Sequence, residues 1–274
     1  TTAETTRSDS LTSFDSNGFT LGSDGVWWTN KSGDDYVAWC WKAGSHDDNL
    51  PQINTEGTID SVVSVNDAAG FSIVKYTGNG TAGATIGHGL SQKPELFFIK
   101  NIEANYNWIA WCNEENTELG YLDVTDSFAS SRYSWALNST QPTSTLITLG
   151  NDASVNTSYN YIAYCFASIS GYQKVGSYTG TGSAGNSVTT GFQPRFLMIK
   201  NITNTGSTGW IMLDTSRDGT TENGNALFAN SNASEWGASN TTVDIDFTAT
   251  GFTIQNGYVV VNGGSDTYIY LAIA

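Results

Sequence analysis

The sequence predicts an all-β protein built from tandem β-sandwich, jelly-roll-like units of about 100 residues. Two observations carry that reading. Long motifs recur at a fixed offset, and short apolar runs are punctuated by Gly, Asn, Asp and Ser about every 8 to 12 residues. A third agrees with them: no stretch sustains a helical period, and blocks of Ala, Leu, Glu and Lys are few.

The recurring motif opens with Y-T-G-N-G at Tyr76–Gly80. Pro94, the run Leu96-Phe97-Phe98-Ile99, Lys100-Asn101-Ile102 and Trp108 follow. Its echo is Y-T-G-T-G at Tyr178–Gly182, Pro194, Phe196-Leu197-Met198-Ile199, Lys200-Asn201-Ile202 and Trp210. The tyrosines and tryptophans recur after 102 positions and the lysines after 100. This is the first half of a unit. Three second halves are present: Gly18–Leu21 with Tyr36–Trp41, Leu146–Gly150 with Tyr161–Phe166, and Gly251–Ile254 with Tyr268–Ile273.

Four segments result. Residues 1–44 are the second half of a first unit, so the chain is expected to continue something longer. Residues 45–70 have no counterpart and read as a linker or insertion. Residues 71–170 and 171–274 are units two and three. Within the first segment, Asn17-Gly18 between Leu11–Phe14 and Phe19–Leu21 signals a hairpin. Tyr36–Trp41 reads as a strand covered on both faces. Pro94 and Pro194 stand just ahead of their apolar runs, where a strand begins. Apolar residues make up 39% and aromatics 12%, so cores should rest on Trp, Tyr and Phe rather than Leu.

Net charge is −15, with no Lys or Arg cluster, which argues against a nucleic-acid partner. No apolar run reaches 18 residues, so helical membrane insertion is not expected. Three cysteines cannot all pair within the chain. Cys40 and Cys165 take the same place in two units, with Leu271 in the third, which reads as a core position; Cys112 reads as core too.

Chemistry is sparse. His88, between Gly87 and Gly89, suggests a tight turn with its ring at the surface, and His46 lies in the unmatched segment. Asp214-Thr-Ser-Arg217-Asp218 is the best polar cluster, read as a loop anchor before catalysis. Asp34, Asp35, Asp47 and Asp48 are weak calcium candidates without an Asp-x-Asp-x-Asp-Gly loop; otherwise no cofactor is expected. Trp27, Trp28, Trp135 and Trp236 sit in polar surroundings. They are candidates to stack on sugar rings, or lids on small cores.

Y-V-A-W-C-W-K-A-G (Tyr36–Gly44), F-S-I-V-K-Y-T-G-N-G (Phe71–Gly80), the stretch Tyr161–Gly182 and L-T-S-F-D-S-N-G-F-T-L-G (Leu11–Gly22) resemble a repeat domain of marine tailed-bacteriophage structural or tail-fibre proteins. That resemblance implies a non-enzymatic, extracellular virion surface component, tail fibre or capsid-associated fibre, supporting host-surface attachment. Its partners would be other virion proteins and a host glycan or protein. By analogy it would be a homo-oligomer, often a trimer. The alternatives are a carbohydrate-active depolymerase or lyase, and a secreted glycan-binding adhesin module.

Overall fold

A computed structural model describes the chain except residues 1, 6, 24–28, 45–51, 116, 205, 207, 222–223 and 238–240. It is mostly β, in several antiparallel sheets, as the all-β expectation required.

Asn17-Gly18 does close a hairpin, β1 (Leu11–Asp15) with β2 (Gly18–Leu21). Unit two begins with β3 (Gln52–Asn54), β4 (Ser61–Asn66), β5 (Phe71–Thr77) and β6 (Thr85–Gly87). It continues with β7 (Leu96–Asn101), β8 (Ile109–Cys112), β9 (Gly120–Tyr121), helix α1 (Ser130–Leu137), β10 (Leu146–Thr148) and β11 (Asn160–Phe166). Unit three holds β12 (Gln173–Thr179), β13 (Asn186–Thr189), β14 (Phe196–Asn201), β15 (Trp210–Asp214) and the short α2 (Thr215–Asp218). Then come β16 (Leu227–Phe228), β17 (Ile245–Thr248), β18 (Gly251–Ile254) and β19 (Thr267–Ile273).

The large sheet of unit two has the order β3-β4-β5-β11-β7-β8-β9, and that of unit three β12-β19-β14-β15-β16. Five strands correspond in register. Tyr161 lies opposite Tyr76 and Asn101, as Tyr268 lies opposite Tyr178 and Asn201. A smaller ladder, β6-β10 in one unit and β13-β18-β17 in the other, covers one face of each large sheet.

All six residues of β7 and of β14 are buried, as continuous apolar runs demand when a sheet is covered on both faces. Alternation divides the labour. Phe97 and Ile99 point into the core of unit two, and Leu197 and Ile199 into that of unit three. The opposite faces, with Leu96, Phe98, Phe196 and Met198, meet in a third cluster shared between the units. Trp210 sits in it edge-on to Phe98 at 5.6 Å, with Phe128 at 6.4 Å, and its Nε1 donates to Tyr121 O at 2.8 Å. Phe128 N donates to Ile202 O at 3.0 Å across the same boundary.

Three expectations change and one narrows. Of the linker or insertion expected at 45–70, residues 52–66 follow the second alternative, with β3 and β4 extending the sheet of unit two beyond β5. Residues 36–41 are extended but enter no ladder among the described residues. One face of that segment lays Trp39 and Trp41 on Phe196 and Phe166, while Cys40 is exposed. The ladders also place Ala272, not Leu271, at the Cys165 position, because Cys165 and Ala272 lie opposite Phe97 and Leu197. A one-residue slip would turn that side chain to the other face of the sheet. Last, 130–137 is helical. Tyr133, Ala136 and Leu137 are its buried stripe, and Gly150 lies so close that a Cβ there would sit 1.7 Å from Trp135 O.

Trp210→Ala is expected to lower stability by about 3–5 kcal/mol, the range for emptying a large aromatic site in a packed core. Chemical denaturation against the parent chain measures it.

Candidate functional site

The repeated motifs converge at one end of each large sheet. Tyr76 stacks on Tyr161 at 5.1 Å, and Tyr178 on Tyr268 at 4.8 Å. Every hydroxyl in these pairs donates to a carbonyl: Tyr76 to Val155 O, Tyr161 to Ala153 O, Tyr178 to Val261 O and Tyr268 to Val259 O. Asn101 and Asn201, ending β7 and β14, accept the next two free backbone N–H groups through Oδ1 and donate through Nδ2 to Ala153 O and Val259 O. Burial holds all four phenols above their ordinary range, Tyr268 at about 12.

The same geometry decodes Y-T-G-x-G. A Cβ on Gly78 would lie 2.2 Å from Thr157 O, and one on Gly180 2.0 Å from Gly263 O, so a passing loop requires the first glycine. Gly80 and Gly182 adopt φ of 72° and 69°, the left-handed region. Asn156 and Asn262 bind those turns from the loop. Asn156 Oδ1 accepts from Asn79 and Gly80 N, and Asn262 Oδ1 accepts from Thr181 N. Sequence reasoning passed over both, although each directly follows a valine and itself stands five or six residues ahead of the core tyrosine.

Lys100 and Lys200 are buried. Lys100 Nζ donates to Tyr106 O at 2.6 Å; Lys200 Nζ donates to Thr208 O and, from the other unit, Thr125 O. Burial pushes Lys200 down to about 8 and lowers Lys100, where Asp123 pulls the other way. A lysine brought down this far could serve as base or nucleophile, but here the ammonium is enclosed and tied to main-chain carbonyls.

The Asp214 cluster lies beside a shallow cavity of about 200 Å³ lined in part by Trp39, Arg195, Phe196 and Ser216. Asp214 caps α2, with Oδ1 accepting from Ser216 and Arg217 N at 3.1 Å. Its Oδ2 accepts from Arg217 Nε at 2.7 Å and from Trp39 Nε1 at 3.2 Å. Arg217 also reaches Asn225 O and Glu235, and its guanidinium lies 5.7 Å from the Trp39 ring centre. Four donors fill both carboxylate oxygens, leaving no lone pair well placed to take a substrate proton. The cluster anchors a loop and clamps Trp39.

His88 differs from expectation. It is fully buried, with Nδ1 accepting from Leu90 N at 3.2 Å, which leaves Nε2–H to donate to Thr143 O at 3.3 Å. Its glycines reflect close packing as well as turning: a Cβ on Gly87 would meet Asn54 Oδ1 at 1.9 Å. Burial lowers the imidazole to about 4.

Of the sugar-stacking candidates, the two among the described residues are not brought together. Trp135 is half-buried on α1 against the core of unit two, and Trp236 is half-buried edge-on to Phe228 at 4.6 Å in unit three. Trp27 and Trp28 lie outside the described residues. Asp34 pairs with Lys31 at 3.1 Å and Asp35 is exposed, while Asp47, Asp48 and His46 lie outside the described residues. Among the described residues, no three His, Cys, Asp or Glu side chains gather to hold a metal, and no helix is long and apolar enough to cross a membrane.

With this geometry in place, the comparison with known families decides one point. A family model described as "Domain of unknown function (DUF7483)" matches residues 1–274. The chain belongs to that family. No curated protein and no solved structure matches this DUF7483 chain.

Two outcomes are expected of these residues. The unfolded chain takes up a proton at His88 near pH 6.5, whereas the folded chain does so only near 4. The contribution of His88 is therefore complete above pH 6.5 and falls by up to about 3 kcal/mol as pH drops to 4. Denaturant unfolding at stepped pH follows that fall, and His88→Gln should flatten it. Asp214→Ala and Arg217→Ala should each cost about 2–4 kcal/mol, through the lost cap and the stranded partner charge. Because they share one contact, the double variant should lose less than the sum of the two.

Proposed function

We propose that this chain is a non-enzymatic structural component of a virion surface, made of tandem β-sandwich, jelly-roll-like modules, in a tail fibre or capsid-associated fibre that supports attachment to the host. One observation carries the proposal: the polar groups that look chemical in the sequence are engaged in holding loops. Asp214 is filled by four donors, and the Tyr–Asn clasps and both buried lysines end on main-chain carbonyls. A hydrolytic site needs converging groups with free capacity for protons or oxyanions.

The packing supports the same reading. Two large sheets joined through a shared aromatic core give a stiff body, and a net charge of −15 keeps its surface well hydrated. In such a particle the partners are neighbouring virion proteins and a host-surface glycan or protein. Homo-oligomeric assembly, as a trimer, comes from the phage resemblance by analogy.

Antibodies raised against this polypeptide should decorate purified tailed-phage particles that encode it, at fibres or capsid surface, in immunogold images. Particles without the polypeptide, or release of soluble sugars from host polysaccharide by the purified chain, would instead give the depolymerase reading the advantage.

A further inference from the structure

The β1–β2 hairpin repeats the β17–β18 hairpin in the three pairs next to the turn, beyond which β1 carries a register shift between Leu11 and Ser13. Phe14 lies opposite Phe19 and Asp15 opposite Gly18, as Phe247 lies opposite Phe252 and Thr248 opposite Gly251. Leu11 faces Leu21 where Ile245 faces Ile254, and Gly22 N donates to Ser10 O as Gln255 N donates to Asp244 O. The surroundings are opposite. In unit three Ile245, Phe247 and Phe252 are 0%, 3% and 1% exposed; Leu11, Phe14 and Phe19 are 41%, 84% and 37% exposed. β18 also has a second neighbour, β13, on its outer edge, whereas among the described residues β2 pairs only with β1.

Residues 36–41 show the same asymmetry. They match β19 from Tyr268 to Ile273, so Trp39 and Trp41 stand where Leu271 and Ile273 stand, and they do join the shared core. Ala38 and Cys40 correspond to Tyr270 and Ala272, which are buried beneath the small ladder of unit three, yet both are exposed. β19 is bonded on both sides, to β12 and β14, while Val37–Trp41 enters no ladder among the described residues. One face of this segment is therefore placed as in a finished unit. Among the described residues, nothing pairs with its edges, and Ala38 and Cys40 on its other face are exposed.

We propose that β1, β2 and Val37–Trp41 form a docking site for one occupant, a polypeptide segment with the first-half pattern of this module (Y-T-G-x-G, then Pro, a four-residue apolar run and Lys-Asn). The occupant's chemistry is visible twice in the chain itself. Strands like β12 and β14 would flank residues 37–41, a strand like β13 would pair along β2, and an apolar face like that of Leu197, Ile199 and Tyr178 would cover Phe14 and Phe19. Strand addition of this kind draws its affinity from main-chain bonds and its specificity from alternate side chains.

The test joins a copy of residues 171–243 ahead of Thr1 of the full chain and follows amide hydrogen exchange at 11–21 and 37–41. With the copy in place these amides should exchange about 100-fold or more slowly than in the unfused chain, as for strands closed into a core. Phe14→Ser should abolish that protection in the fusion and change nothing in the unfused chain. Exchange across 71–274 serves as the folding control in both. Equal exchange with and without the copy would overturn the proposal. So would protection already present in the unfused chain together with concentration-dependent dimers in sedimentation, since a second copy would then be the occupant.

Discussion

Covering both faces of each large sheet is the constraint from which the architecture follows. β7 and β14 are buried along their whole length, so each sheet needs a cover on its inner face and another on its outer face. The small ladders supply the first, and the other unit supplies the second. Full burial of each large apolar side chain contributes roughly 1.5–3 kcal/mol, against about 1 kcal/mol net for a hydrogen bond. The shared apolar face therefore decides that the units lie back to back. The Lys200–Thr125, Phe128–Ile202 and Trp210–Tyr121 bonds fix how far one is turned against the other.

Both faces of the strands mix kept and changed positions. Toward the small ladders Tyr76 and Tyr178, Tyr161 and Tyr268, and Ile99 and Ile199 are alike, whereas Phe97 becomes Leu197 and Trp111 becomes Leu213. On the shared face Trp108 and Trp210 are alike, and other positions differ. Ala110 stands opposite Phe98 where Met212 stands opposite Met198, and Cys112 takes the place of Asp214. Asp214 can stand at that otherwise apolar position because it caps α2 and pairs with Arg217, with the Trp39 indole N–H as a fourth donor.

Part of the fold was legible because the repeat marks equivalent segments: the matching motifs picked out the runs that form β7 and β14 and those that form β11 and β19, but not which strands pair. What was lost turned on single positions. Leu271 was one residue off: counted from the equivalent tyrosines, Tyr161 and Tyr268, the position of Cys165 is Ala272. The helix at 130–137 was passed over since only eight residues form it and no side chain caps its start, although Tyr133, Ala136 and Leu137 have helical spacing. His88 was misplaced because its glycines signal a turn equally well on a surface or under a passing strand, and β3 is that strand. The Asp214 cluster was legible as an anchor. Its bond to Trp39 was not, since it joins residues 175 positions apart.

The motifs that identify the module are silent about its task, for a physical reason. Tyr, Asn, Lys and Gly recur in both units because each closes a contact that both units need, and a group engaged in such a contact is withdrawn from recognition. Whatever distinguishes one unit from the other must lie where the repeat breaks. Unit two adds β3 and β4, which carry Ile53 out at 74% exposure, and it seals one corner with α1. Unit three has neither among the described residues. It holds Arg195, Asp214, Arg217 and Glu235 around its outer rim instead. The two units thus differ at their margins, while the interiors behind those margins keep the same strand order and register.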